Sequence, residues 1–98
     1  MNLKPQKNND KLVLAVEGRI DTTTAPALTE FFQNEMNDVK NFELDLAQVD
    51  YISSAGLRAI LLAQKKMEKQ GKMVVSHVCK EVMDTFELTC FTDFLTII

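Results

Sequence analysis

The residues with the greatest chemical potential lie close together at Asp50, Tyr51, Ile52, Ser53, Ser54, Ala55, Gly56 and Leu57, where two hydroxyls and a glycine separate an apolar segment from a long amphipathic one. A serine just ahead of a helix can cap it, because its side-chain oxygen accepts a hydrogen bond from a first-turn amide that lacks a partner. Ser54 is the N-cap candidate. The open amides and the dipole of the same helix favour negative charge, so a phosphate on Ser54 would be stabilised there. From the residues alone two readings stay open: Ser54 as a cap only, or Ser54 as a phosphorylation site.

Other chemistries find little support. His77 is the one histidine, has no acidic or cysteine partner at ligand spacing, and reads as a strand residue. There is no Gly-x-Ser-x-Gly elbow and no glycine loop for phosphates. Asp45 and Asp50 read as solvated carboxylates rather than an acid/base pair. Cys79 and Cys90 are too few for a disulfide framework and lack metal-ligand spacing, which predicts buried or half-buried free thiols. The expectation is therefore no catalytic residue, no metal and no cofactor.

Ninety-eight residues suffice for one domain with a single two-layer core, spanning residues 1–98. A net charge of -3 with scattered Lys and Arg argues against direct binding to nucleic acid, which needs a basic face. No apolar run approaches the ~20 residues of a membrane helix, and Met1 to Pro5 has no hydrophobic signal core, so a cytoplasmic protein without a membrane partner is expected.

The elements that must position the serines follow from periodicity. Residues 1–10 suggest a short edge strand with a turn at Asn8, Asn9 and Asp10, pairing antiparallel with the next strand. Lys11 to Glu17 alternates as a strand covered partly on both faces, and Gly18 ends it. Arg19 to Thr24 is a polar loop, and Pro26 in a first helical turn opens a helix carrying Leu28, Phe31, Phe32, Glu35, Met36 and Val39 down to about Val39. Phe42 to Leu46 alternates apolar and acidic residues as a strand. Leu57, Ile60, Leu61, Gln64 and Met67 share one face of a helix reaching Gln70, with Gly71 expected to close it in a left-handed conformation. Met73 to Val78 is a strand, a third helix from Lys80 carries Val82, Met83, Phe86 and Leu88, and Phe94 to Ile98 is expected as a last strand. This alternation predicts an α/β domain with a mainly parallel mixed sheet of four to five strands and helices packed on one face. Phe31, Leu44, Ile60 and Val75 are expected to be buried, with Phe31→Ala costing about 3 to 5 kcal/mol.

A resemblance runs through Gly18, Arg19, Ile20 and Asp21 with the Ala-Pro lead-in to the first helix, through Leu44, Asp45 and Leu46, through Tyr51 to Arg58, and through Phe86 to Thr89 with Phe91. The chain resembles the bacterial anti-sigma-factor antagonists, which are single STAS domains. The resemblance implies a partner switch without enzymatic activity: the unmodified antagonist binds an anti-sigma factor that is also a serine-protein kinase, the sigma factor is released, phosphorylation breaks the complex, and a serine phosphatase resets it. It implies phosphorylation at Ser54. Where the family often has Asp, this chain has Ser53, which makes Ser53 the second candidate. Asp21 corresponds to the family's acidic docking residue. The implied partner-binding set is Asp21, Thr22, Thr23, Ser53, Ser54, Ala55, Gly56 and Arg58, and charge reversal at Asp21 is expected to weaken binding without changing stability. Two alternatives remain: a STAS subunit of a lipid-transport or other complex, and a serine hydrolase using Ser54.

Overall fold

The computed structural model describes Met1 to Ile98. Its order is β1 (Asn2–Asn8), β2 (Lys11–Glu17), α1 (Ala25–Asn34), β3 (Asn41–Gln48), α2 (Ser54–Gln70), β4 (Lys72–Ser76) and α3 (Lys80–Leu88), followed by a 3-10 turn at Phe91–Asp93. One mixed sheet is built in the order β1-β2-β3-β4. The hairpin β1/β2 is antiparallel because two residues join its strands, whereas β2/β3 and β3/β4, joined through α1 and α2, are parallel.

Register explains why the sheet has one covered face. Leu12, Phe42 and Met73 lie side by side, as do Leu14, Leu44 and Val75, and all six are buried. The alternating rows Val13, Glu43, Val74 and Ala15, Asp45 are only half-buried, so the core lies against the first face. Leu28 and Phe32 of α1 and Ile60, Ala63 and Met67 of α2 complete it. Phe32 meets the Phe42 ring edge to face, with centroids 5.8 Å apart.

Several expectations are corrected. The first helix stops at Asn34 rather than near Val39, with Glu35 donating its amide to Phe31 in a closing turn. The apolar spacing persists past the helix because Met36 and Val39 are buried loop residues. Their carbonyls accept hydrogen bonds from Gln70 Nε2 at 2.5 and 2.7 Å, and Lys66 Nζ reaches the carbonyls of Phe32 and Gln33, so α2 supplies the end of α1. Phe31 is half-buried, and its neighbour Phe32 is the enclosed ring; Leu44, Ile60 and Val75 are fully buried as expected.

Gly71 is extended, with φ 177, rather than left-handed. It is a glycine because a Cβ would overlap the Lys40 carbonyl. The last strand is reduced to one parallel bridge, Val75 to Ile97, since Leu95 turns inward and Phe91–Asp93 coils. Leu88 is exposed, as is Cys90, which adopts φ 62; Cys79 is half-buried and donates its thiol to the Val49 carbonyl.

Candidate functional site

At the carboxyl ends of β2 and β3 the two candidate loops are fastened to each other. Gly18 N–H donates to Gln48, Ile20 N–H to the Tyr51 carbonyl at 3.1 Å, and Ser53 N–H to the Ile20 carbonyl at 2.8 Å. Gly18 begins this crossing at φ 107, a conformation glycine adopts without strain. The bridge Ile20 to Ile52 therefore carries the parallel pairing beyond the sheet, and it sets the Asp21 loop beside the serines.

Asp21 organises its own loop. One carboxylate oxygen accepts from Thr23 N–H at 3.0 Å, Thr23 Oγ1 at 2.8 Å and Thr24 N–H at 3.1 Å, while the Asp21 carbonyl accepts from Ala25 N–H at 2.8 Å. Thr24 Oγ1 in turn accepts from Asp21 N–H and donates to the Arg19 carbonyl, both at 2.8 Å. The Thr23 hydroxyl first, then the Thr24 amide, hold the Asp21 carboxyl below the usual aspartate range. A lowered folded pKa means stability that is fully present above the unfolded value of about 3.9 and is lost as pH falls through the folded value. Asp21→Asn should therefore flatten the acid limb of the melting temperature against pH; parallel limbs for parent and variant would show that the ionised carboxylate does not hold the loop. These bonds also revise the expected silence of charge reversal at Asp21: a lysine there removes the acceptor from three donors and loosens the turn into α1.

The serine turn has its roles exchanged relative to the sequence expectation. Ser53 is the N-cap of α2, its Oγ accepting from Gly56 N–H at 3.3 Å, and Ser54 is the first helical residue. Ser54 is exposed, and the hydrogen bonds of the turn run through Ser53. Capping is satisfied one residue earlier, which leaves Ser54 exposed and free of the cap bond.

Gly56 is buried, so its contribution is to packing. A Cβ on it would stand 2.5 Å from Ile20 Cγ2 and 2.7 Å from Ile52 Cγ1, the two side chains of the bridge. Alanine in a helix interior gains up to ~1 kcal/mol over glycine, but overpacking against two enclosed β-branched residues costs about 1 to 3 kcal/mol, and the second effect wins here. Gly56→Ala should thus lower the denaturant midpoint. A midpoint equal to or above that of the parent would show that α2 can lift off the bridge without cost.

Thr22 and Thr23 are exposed, Ala55 is half-buried and Arg58 is exposed beside them. A groove of about 470 Å3 leads away from this turn between α1 and α2, lined by Thr22, Pro26, Gln33, Ala55, Arg58 and Leu62 among others. Two features at the site were not singled out from the sequence. The Arg19 guanidinium lies 4.1 Å from the centroid of the exposed Tyr51 ring, with Nε 4.0 Å from Asp21 Oδ2, so the two loops also meet through side chains. His77, expected within a strand and without an acid, instead follows β4 at φ 57 and pairs with Asp45 at 3.0 Å. Residues 32 apart gave no spacing signal for that pair.

A four-stranded mixed sheet with three helices and a serine turn at the head of the long helix is the architecture of a STAS domain. Residues 2–98 match the model of the STAS domain family, and the chain belongs to that family. It is 32% identical to BtrV of Bordetella bronchiseptica, a candidate anti-sigma factor antagonist, over 93% of this chain and 80% of that protein. A crystal structure of an anti-sigma factor antagonist from Mycobacterium paratuberculosis superposes with a TM-score of 0.88 at 23% identity, covering 98% of this chain and 83% of the other. The Bacillus cell fate determinant SpoIIAA in its phosphorylated form shares the fold with a TM-score of 0.77 at 10% identity, covering 99% and 91%. No helix is long and apolar enough to cross a membrane.

Proposed function

We propose that this protein is an anti-sigma factor antagonist of the partner-switching type, acting in the cytoplasm without catalysis of its own. Unmodified, it binds an anti-sigma factor that is also a serine kinase, and the sigma factor is freed. Phosphorylation of Ser54 ends that complex, and a serine phosphatase restores the binding form. The observation that carries this reading is the exposed Ser54 hydroxyl at the first position of α2, on a turn fastened to the Asp21 loop.

In the modification step Ser54 Oγ attacks the γ-phosphorus of ATP held by the kinase. The Oγ–P bond forms, the bond from that phosphorus to the bridging oxygen breaks, and ADP leaves. The base that takes the hydroxyl proton comes from the partner, since the one histidine is held by Asp45 and Ser53 serves the helix cap. The same geometry disfavours a hydrolase, which needs a base within hydrogen-bond reach of its nucleophile.

Asp21, Thr22, Thr23, Ser53, Ser54, Ala55 and Arg58 form the proposed docking surface, with Arg19 and Tyr51 added as a packed aromatic and cationic pair of the sort that anchors interfaces. Incubation with the anti-sigma kinase and ATP, followed by phosphopeptide mapping and a binding isotherm, tests the proposal. Phosphate on Ser54 with loss of binding is the expected result. Phosphate on Ser53 alone, or unchanged affinity after modification, overturns it.

A further inference from the structure

Arg58 lies four residues beyond Ser54 on α2, is exposed, and is the one cationic side chain lining the groove between α1 and α2. Other cations nearby are occupied: Arg19 stacks on Tyr51 near Asp21, and Lys66 caps the carbonyls at the end of α1 and contacts Asn37. Arg58 enters none of the chain's ion pairs, although Glu30 lines the same groove. Arg58 thus has its guanidinium without an ion-pair partner inside the unmodified fold.

Helix geometry gives it one. Cα–Cβ bonds tilt toward the helix N-terminus, so a long side chain covers the turn preceding its own Cα, and residues i and i+4 stand on one face about 6 Å apart along the axis. An arginine at position 58 therefore has the direction and the length to reach back over position 54. An anion placed N-terminal to a cation at i, i+4 is the favourable orientation of such a pair. The guanidinium fork also matches two phosphate oxygens, which a lysine ammonium does not.

We propose that Arg58 is the in-chain receptor of the phosphoryl group on Ser54, clasping it from one turn away. The proposal rests on the reading of Ser54 as the modified serine. Modification then acts twice: it adds an anion beside the groove, at the residue preceding Ala55, and it withdraws the groove's cation from a carboxylate of the partner.

The test uses full-length protein with phosphoserine placed at position 54 during translation, so that no kinase is needed. Phosphorus NMR follows the second ionisation of the phosphate, about 6 when free, in the parent, Arg58→Gln and Arg58→Lys proteins at low salt. The parent should titrate roughly 0.5 pH unit below Arg58→Gln, about threefold in proton affinity, with Arg58→Lys between them. The gap should shrink as salt is raised. Coincident titration curves for the parent and Arg58→Gln would overturn the proposal. Because the titration reads the pair whichever enzyme installs the phosphate, its failure is separate from a failure of phosphopeptide mapping to find Ser54 as the target. Arg58 is exposed, so equal melting of the three unmodified proteins serves as the folding control.

Discussion

Ser54→Asp is expected to yield a folded protein that no longer binds its anti-sigma partner. At the first position of α2 a carboxylate faces the open amides and the positive end of the helix, which favours it by about 0.3 to 1 kcal/mol. Ser53 keeps the cap, so the fold loses nothing. In the complex the same charge must be desolvated in a tight contact, and the balance reverses. A switch that moves the equilibrium from 1:99 to 99:1 requires about 10⁴-fold, or about 5.5 kcal/mol, from the phosphate. Aspartate carries one charge where phosphoserine carries nearly two, so a loss of at least roughly 100-fold is expected.

Ser54→Ala should bind constitutively and, because Ser54 is not the cap, should stay within about 0.5 kcal/mol of the parent in stability. Ser53→Ala should lose about 1 kcal/mol instead. Binding isotherms and denaturant midpoints on the three variants measure both halves. A Ser54→Asp protein that binds like the parent would end the switch mechanism, and a larger stability loss at Ser54 than at Ser53 would show the cap assigned to the wrong serine.

Phe32→Ala is expected to cost about 3 to 5 kcal/mol, a large share of the stability of a domain this small. Phe32 is enclosed in the core and packs edge to face on Phe42, so truncation removes burial, an aromatic contact and the filling of the space between α1 and the sheet. Phe31 keeps one side in solvent, so Phe31→Ala should cost about 1 to 2 kcal/mol. Urea unfolding with unchanged m-values makes the comparison clean. Equal losses at the two positions would show that Phe31, beside Leu3 and Pro5 of β1, is as enclosed as Phe32.

The alternation in Lys11 to Glu17 and Phe42 to Leu46, and the helical spacing from Leu57 to Met67, were legible because each encodes which side of its own element meets the core. The order of elements then restricted the fold to a mixed sheet under helices. Of the proposed docking surface, Ser54, Asp21 and Arg58 were named from the runs Tyr51 to Arg58 and Gly18 to Asp21, and the structure brings these two loops together through Ile20 and Ile52.

What periodicity left undetermined is what depends on partners distant in the chain. Phe31 and Phe32 both lie near an apolar stripe, and only the approach of β3 decides which ring is enclosed. The first helix ends at Asn34 because Gln70 and Lys66 take carbonyls around its end, while Met36 and Val39 continue the apolar spacing without the helix. Two adjacent serines are equivalent as cap candidates until the hydrogen bond to Gly56 assigns the cap to Ser53. Gly56 and Gly71 are glycines for lack of room against Ile20, Ile52 and the Lys40 carbonyl, a steric fact that exists only once the elements have packed. The sequence by itself thus determined the order of strands and helices through the third helix and the mixed sheet that they form, since these follow from local spacing and residue type, but not the ends of α1 and β4 or the loss of the last strand. The tertiary structure alone decided which serine caps and which is presented, because that choice rests on contacts among residues that meet only when the sheet and helices close on one another.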